Sequence, residues 1–279
     1  MKFFSCDLCG ADDPIEVPRC REYTGGQAIH ICSRCGFVYV QYRRTADEIA
    51  GSWSDDIYGE GYTSAIPAVK ARHLYVAEFV ENCIGLNDKK LIDIGAGEGN
   101  FMLEASWQGA KCTGIEPSRN NVQQIIGCGF DCFQGTIESV ATSQRFDVAS
   151  VLWTLENCQD CNAMLSKAWE LLKPGGHIVV ATGSRILVPF KKPLQDYFST
   201  NPADTHCFRF SFKTLVAMLW KNNFTTVDQN RFIDTDYLVV IARKEPYVNL
   251  LEVGSLKGDN PQAVASFFDR WHSESQRYA

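Results

Sequence analysis

Long apolar runs are missing from this 279-residue chain. No stretch reaches the roughly 18 apolar residues that a membrane-crossing helix needs. The opening MKFFSCDLCG lacks the apolar core of a secretory leader, since Asp7 follows almost at once. No cluster of five or more basic residues occurs, and the net charge is −6. Broad electrostatic attachment to a nucleic-acid backbone is therefore not supported. No internal repeat is present beyond one short cysteine motif. We expect a soluble, cytoplasmic protein that crosses no membrane.

What the chain does have is cysteine, twelve in all. In a cytosolic protein so many thiols point to metal ligands and buried side chains rather than disulfides. A Cys-x-x-Cys-Gly knuckle occurs twice, as CDLCG at 6–10 and CSRCG at 32–36, with 22 residues between them. Four thiolates enclose a zinc ion tetrahedrally at about 2.3 Å. The glycine after each pair permits a left-handed turn that turns backbone amides toward the sulfurs. Cys6, Cys9, Cys32 and Cys35 are thus the candidate ligands of a structural Zn2+ in a ribbon over 1–42. A segment so poor in large aliphatic residues needs such a staple. The alternative is four unligated thiols or a redox pair. Cys20 stands alone, and His30 reads as a strand side chain. Cys158 and Cys161 lack a second pair and read as ordinary thiols at a helix start.

With 45% hydrophobic residues, the chain can build one sizeable core and a small appendage. Residues 43–64 read as a polar connector carrying Trp53, Tyr58 and Tyr62. Helical spacing of apolar residues covers 65–84. Strands are then predicted near 90–94, 111–116, 130–133, 146–152 and 176–182, and helices near 99–108, 118–127 and 160–173. KPGG at 173–176 stops the last of these helices. The alternation predicts an α/β fold with a doubly wound parallel sheet. Residues 183–210 read as a long loop or lid. A helix over 211–222 and two closing strands, 224–230 and 237–243, complete the domain over 65–243. The tail from 244 carries one amphipathic stretch, 261–272.

LIDIGAGEGN at 91–100 runs a buried strand into a glycine loop. Ligands of doubly wound sheets bind in the crevice at such strand ends. Asp93 ends the strand, and Gly95, Gly97 and Gly99 let backbone amides approach a ligand. The helix that follows presents its N-terminus to the same place. Asn100 stands where a dinucleotide fingerprint wants glycine, and no Gly-Lys-Ser/Thr follows, so this is not a P-loop. Glu116 ends the next strand, where a carboxylate can accept both hydroxyls of a ribose.

Taken together, DIGAGEG (93–99), GIEPS (114–118), GTIES (135–139), FDVASVLWTLEN (146–157) and LLKPGGHIVV (171–180) resemble the class I S-adenosylmethionine-dependent methyltransferases. The resemblance covers roughly 65–243. It implies a Rossmann-like seven-stranded sheet with a reversed last strand. It also implies S-adenosylmethionine as cofactor. The methionine part would lie on Asp93, Gly95, Ala96, Gly97, Gly99 and Asn100, the ribose on Glu116 and Pro117, and the adenine on Thr136 and Ile137. Trp153 would line the cleft, with core packing as the competing reading. An acid is common where Thr136 and Ile137 stand, so a backbone contact to the adenine is expected. With its N-terminal ribbon, the chain looks like saccharide methyltransferases of antibiotic and surface-polysaccharide pathways. The C-methylating members carry a further C-terminal domain; a chain without it suggests O-methylation.

Methyl transfer needs an aligned acceptor and, for a hydroxyl, a proton acceptor. His206, in ADTHCFRFSFKTL, is the candidate base, because its ordinary pKa suits neutral pH; a capping or packing histidine is the alternative. Tyr62 and Glu156 are the other catalytic candidates. Packing competes for Tyr62, and a helix cap competes for Glu156, which stands in Leu155-Glu156-Asn157 where the family often has Leu-Glu-His. Arg185, Lys191, Lys192 and Arg209 could hold a phosphate or carboxylate of the acceptor, or form a solvated loop. The expected acceptor is a sugar, nucleotide-sugar or phosphorylated intermediate. The competing functions are a ribosomal RNA methyltransferase and a non-catalytic docking module. The ribbon is slightly acidic, which argues against RNA.

Overall fold

Short apolar segments bounded by glycine and proline set the framework. The computed structural model describes residues 1–53, 67–190, 192–198, 206–231, 235, 237–246 and 258–277. Tyr58, Tyr62 and Lys191 lie outside the described residues. The N-terminal region contains β1 (Lys2–Phe3), β2 (Ile15–Glu16), the single turn α1 (Cys20–Tyr23), β3 (His30–Ile31), β4 (Val38–Tyr39) and β5 (Tyr42–Arg43). Helix α2 (Ala46–Gly51) follows, started by a reciprocal Thr45–Glu48 capping box.

The larger region runs through α3 (Pro67–Ile84), β6 (Lys90–Ile94), α4 (Asn100–Trp107), β7 (Lys111–Glu116), α5 (Arg119–Gly127), β8 (Asp131–Gln134) and β9 (Phe146–Leu152). It continues with α6 (Cys161–Leu171), β10 (Leu172–Thr182), α7 (Leu194–Tyr197), β11 (Phe208–Arg209), α8 (Phe212–Lys221), β12 (Phe224–Gln229), β13 (Leu238–Lys244) and α9 (Pro261–Ser275). Side chains dictate several helix starts. Asp160 accepts from the amides of Asn162 and Ala163 before α6, and Asn260 accepts from Ala263 before α9. Helix α6 gives way directly to β10, and Gly175 takes a left-handed φ of 71° inside the KPGG segment.

Seven strands form one sheet in the order β12-β13-β10-β9-β6-β7-β8. Strand β13 runs antiparallel to both neighbours, and the pairs from β10 to β8 are parallel. This is the doubly wound α/β sheet with a reversed strand that was expected. One core lies between the sheet and α6 and α8, around Leu165, Met218 and Val180. The other lies under α3 and α4, around Val80, Phe101 and Val179.

A third core was not foreseen. Val17, Ile29 and Val38 from the cysteine region meet Ile186, Leu194 and Phe198, and Phe267, Phe268 and Trp271 from α9. Strand β11 adds to β4, making a four-stranded sheet in the order β11-β4-β3-β2. Residues 183–210, expected as a long loop, thus contribute a strand and a helical turn to the cysteine-bearing unit. The amphipathic tail closes the same unit.

Arg43 joins that unit to the large sheet. Its guanidinium pairs with Asp7 through contacts of 2.9 and 2.5 Å and donates to the carbonyl of Gln159 at 2.8 Å. Both side chains are buried. Truncating one partner leaves an uncompensated buried charge, so Asp7→Ala should cost about 3–5 kcal/mol in urea unfolding. Asp7→Ala combined with Arg43→Met should recover much of that loss. A single variant within about 1 kcal/mol of the wild type would show that the pair contributes no more than a surface pair.

Candidate functional site

Strand β6 carries Asp93 into the sheet interior, where its Oδ1 accepts from Ser150 Oγ at 2.7 Å. Burial pushes the Asp93 carboxyl up to about 7, the Ser150 hydroxyl opposes this, and the Glu116 charge adds to it. The chain then turns through Gly95, Gly97 and Gly99, with φ values of 73°, 54° and 79°. Gly95 is needed for space as well as for dihedral freedom. A Cβ there would stand 2.5 Å from Thr154 Oγ1. The amides of Gly95 and Ala96 both donate to the Ile115 carbonyl, so the glycine loop folds over the end of β7.

Glu116 closes that loop. Its Oε2 accepts from the Gly97 amide at 2.8 Å, and its Oε1 accepts from the Ser118 amide at 2.9 Å. Burial pushes its carboxyl up to about 7, against the pull of those two amides. A cavity of about 760 Å³ opens here. Gly95, Ala96, Gly97, Asn100, Glu116 and Pro117 line one end of it. Thr136, Ile137 and Trp153 also reach its wall, whereas Asp93 and Gly99 stand behind the lining.

The other end of the cavity is built from three separate elements. Helix α3 supplies Arg72 and His73, the β9–α6 connection supplies Trp153 and Glu156, and residues 183–206 supply Ser184, Tyr197 and His206. Trp271 of α9 reaches the same wall and donates its indole N–H to the Lys192 carbonyl. Trp153 is locked in place, with the Arg72 guanidinium 4.0 Å from its ring centroid and Tyr237 edge-on at 5.5 Å. It also holds a left-handed φ of 52°, unusual for a bulky residue and costly to maintain.

Glu156 is buried, and its Oε1 accepts from the Gly183 amide at 3.1 Å. Burial pushes its carboxyl up to about 7, while the Thr182 hydroxyl and the Arg72 charge oppose the shift. It caps no helix, since Asp160 starts α6. His206 shares a hydrogen bond with Ser184 Oγ through Nδ1. Burial, followed by the charges of Arg209 and Lys192, lowers its pKa to about 3. It caps no helix either, since Ser211 starts α8. The structure therefore brings Glu156 and His206 to one cavity. Tyr62 falls outside the described residues.

Two wall residues, Tyr197 and Trp271, had no signal in the sequence beyond aromatic spacing. Arg185 and Lys192 of the expected basic group line the cavity, while Arg209 is buried behind it and donates to the His206 carbonyl at 3.0 Å. Cys158 and Cys161 are buried thiols. Cys20 is buried too, with its amide-accepting sulfur 3.3 Å from the Ile29 nitrogen.

Away from the cavity, the sulfurs of Cys6, Cys9, Cys32 and Cys35 all lie within 4.8 Å of one another. The nearest pairs are Cys6–Cys35 at 3.5 Å and Cys9–Cys32 at 3.4 Å. Gly10 and Gly36 take left-handed φ values of 77° and 67° just after each pair.

A family model described as a methyltransferase domain matches residues 69–229, more than half of the chain, and the chain belongs to that family. A ubiquinone biosynthesis O-methyltransferase of Vibrio atlanticus is 29% identical over 148 residues, 50% of this chain and 60% of that protein. Across several such relatives, the chain spans about half the length of the curated proteins it matches. Among solved structures, the 1,6-didemethyltoxoflavin-N1-methyltransferase of Burkholderia thailandensis, with S-adenosylhomocysteine bound, aligns with a TM-score of 0.57 at 18% identity. That alignment covers 77% of this chain and 97% of that one. The magnesium protoporphyrin IX methyltransferase of Synechocystis PCC 6803, with S-adenosylmethionine bound, aligns with a TM-score of 0.52 at 12% identity, covering 73% and 99%. At these identities the structures establish a shared fold.

The crowding at Gly95 gives a direct test. Gly95→Ala should lose about 1–2 kcal/mol from the left-handed backbone alone, with the overlap on Thr154 added. Gly129→Ala is the control, because its φ is 88° and no atom lies within 4 Å of the added Cβ. Thermal unfolding should separate the two variants; equal losses would show that the approach of Thr154 imposes nothing.

Proposed function

We propose that this protein transfers a methyl group from S-adenosylmethionine to a hydroxyl oxygen of a small-molecule acceptor. The observation that carries the reading is Glu116, a buried carboxylate held by Gly97 and Ser118 in the lining of the cavity beside the glycine loop. Such a group accepts from paired ribose hydroxyls. The residues beside it suit the rest of the cofactor. The backbone of Gly95, Ala96 and Gly97 offers polar atoms to a methionine moiety, supported by Asp93 and Gly99 behind it and by Asn100. Pro117, Thr136 and Ile137 flank the place for an adenine. Bound S-adenosylmethionine supplies an electrophilic methyl group on a sulfonium.

At the other end, Glu156 takes the proton of the acceptor hydroxyl. Its carboxyl near 7 is matched to neutral pH, as an acid–base group should be. His206, the base expected from the sequence, is a weaker proton acceptor because burial disfavours its charged form. Its hydrogen bond to Ser184 suits it to shaping the wall. Tyr62 stays a candidate from the sequence alone.

The four cysteines form a structural Zn2+ site in this reading. Zinc at about 2.3 Å from each sulfur sets tetrahedron edges near 3.8 Å, and the closest sulfur pairs, at 3.5 and 3.4 Å, suit that size. Four protein ligands leave no open position, so the ion supplies stability rather than chemistry.

A sugar, nucleotide-sugar or phosphorylated acceptor rests on the family resemblance and on Arg185 and Lys192 in the wall. The curated relatives, named for ubiquinone biosynthesis, speak for a different small acceptor. Among the described residues, no helix is long and apolar enough to cross a membrane.

Because Glu116 must be ionised to accept two hydroxyls, lowering the pH through 7 should weaken cofactor binding. Calorimetry should give an affinity for S-adenosylmethionine about tenfold lower at pH 6 than at pH 8. Glu116→Gln should bind weakly with this dependence reduced. An affinity that stays level between the two values would remove Glu116 from the ribose role.

A further inference from the structure

Three buried polar atoms on the outer wall of the cavity have no hydrogen-bond partner among the described residues: Glu156 Oε2, Trp153 Nε1 and Tyr197 Oη. All three residues line the cavity. Buried polar atoms in folded proteins are nearly always paired, so three orphans on one wall call for an occupant. Each is held where it is. The second oxygen of Glu156 is fixed by the Gly183 amide. Trp153 is clamped between Arg72 and Tyr237. Tyr197 packs against Trp271, with ring centroids 4.6 Å apart, and against Phe198. The Glu156 charge also raises the Tyr197 phenol, after burial, which puts the two groups within electrostatic reach.

Their chemistry is complementary. An indole N–H only donates, a carboxylate only accepts, and a phenol does both. One hydroxyl of a ligand can accept from Trp153 and donate to Glu156. That leaves Tyr197 for a second hydroxyl close by. We infer that Glu156, Trp153 and Tyr197 recognise two neighbouring hydroxyls, a vicinal diol, on the acceptor. This rests on the methyl-transfer reading above and deepens it by naming the acceptor's chemistry. A vicinal diol occurs both on sugar rings and on catechols. The Trp153 and Tyr197 rings can pack against either ring type.

Calorimetry on the whole 279-residue chain, supplied with zinc, distinguishes the outcomes. The protein is first titrated with S-adenosylhomocysteine, then, once saturated, with catechol and with methyl mannoside. Phenol and cyclohexanol are the matched single-hydroxyl probes. One diol should bind, and its single-hydroxyl partner should bind about tenfold or more weakly, the usual effect of leaving a buried partner unpaired. Glu156→Gln and Tyr197→Phe should each lower the diol affinity about 10- to 100-fold. Both should keep the wild-type melting temperature within a few degrees and the wild-type affinity for S-adenosylhomocysteine. Preference for catechol assigns a phenolic acceptor, and preference for the mannoside assigns a saccharide. If S-adenosylhomocysteine binds and neither diol does, the inference is overturned while the methyl-transfer reading stands. Equal binding of diol and single-hydroxyl probes, or a Tyr197→Phe variant that binds the diol like wild type, also overturns it. Failure of S-adenosylhomocysteine to bind overturns both.

Discussion

The buried ion pair between Asp7 and Arg43 is the contact on which the arrangement of this molecule turns. Asp7 sits inside the first cysteine knuckle, and Arg43 ends the last short strand of that unit. The guanidinium also donates to the carbonyls of Val40 and Gln159 and lies 4.4 Å from the ring centroids of both Phe4 and Phe208. The backbone carbonyl of Asp7 accepts from Asn162 of α6 and Lys221 of α8. Burial pushes the Asp7 carboxyl up on balance, against the pull of the Arg43 hydrogen bond and charge. The pair is costly to desolvate and tolerable only with its hydrogen bonds complete. Its value lies in position: it fixes the cysteine unit against the connection that carries Trp153 and Glu156.

A second set of contacts completes the same attachment on the other knuckle. The Cys35 carbonyl accepts from the Asp259 amide at 2.9 Å, and Asp259 accepts from Ser211 at the start of α8. Strand β4, just after that knuckle, pairs with β11, which begins two residues after His206. The end of the cavity away from the glycine loop is therefore of mixed origin: Arg72, His73, Trp153 and Glu156 come from the region of the large sheet, and Ser184, Tyr197, His206 and Trp271 from segments packed on the cysteine unit. The cysteine unit itself stands behind that second group, packed against Ile186, Leu194, Phe198 and α9 and paired to β11. The glycine-loop end, by contrast, is built wholly from β6, β7 and the turns that follow them. One end of the cavity comes from the shared sheet alone, and the other from that sheet together with segments braced by the cysteine unit.

That division also explains what the sequence made legible. Strands β6 and β9 are buried along most of their length and read as largely apolar runs, so their ends could be placed within a residue or so. Helices α6 and α9 announce themselves through Asp160 and Asn260 at their starts. The glycine loop and Glu116 were readable because backbone shape and a single carboxylate restrict residue choice locally. The cysteine unit was readable in its cysteine spacing and in the strand positions on either side of the second knuckle, where His30 lies in β3. Its strands are two residues long and have no period to detect. The pairing of β11 with β4, the burial of Arg43 against Asp7 and the meeting of Tyr197 and Glu156 in one cavity wall join residues far apart in the chain. Nothing local encodes them. For the same reason His206 looked like a base from its position, whereas burial beside Arg209 and Lys192 decides its basicity.

The most direct test of this account is hydrogen exchange followed by mass spectrometry, with the four-cysteine site metal-loaded and then stripped by a chelator. The cysteine unit braces the wall segments that carry Ser184, Tyr197, His206 and Trp271. Stripping should speed exchange in residues 184–190, 206–210 and 261–275, while β6 and β7 stay protected. Unchanged exchange in those three segments after the metal is removed would contradict it, because the wall would then stand without the unit that is said to hold it.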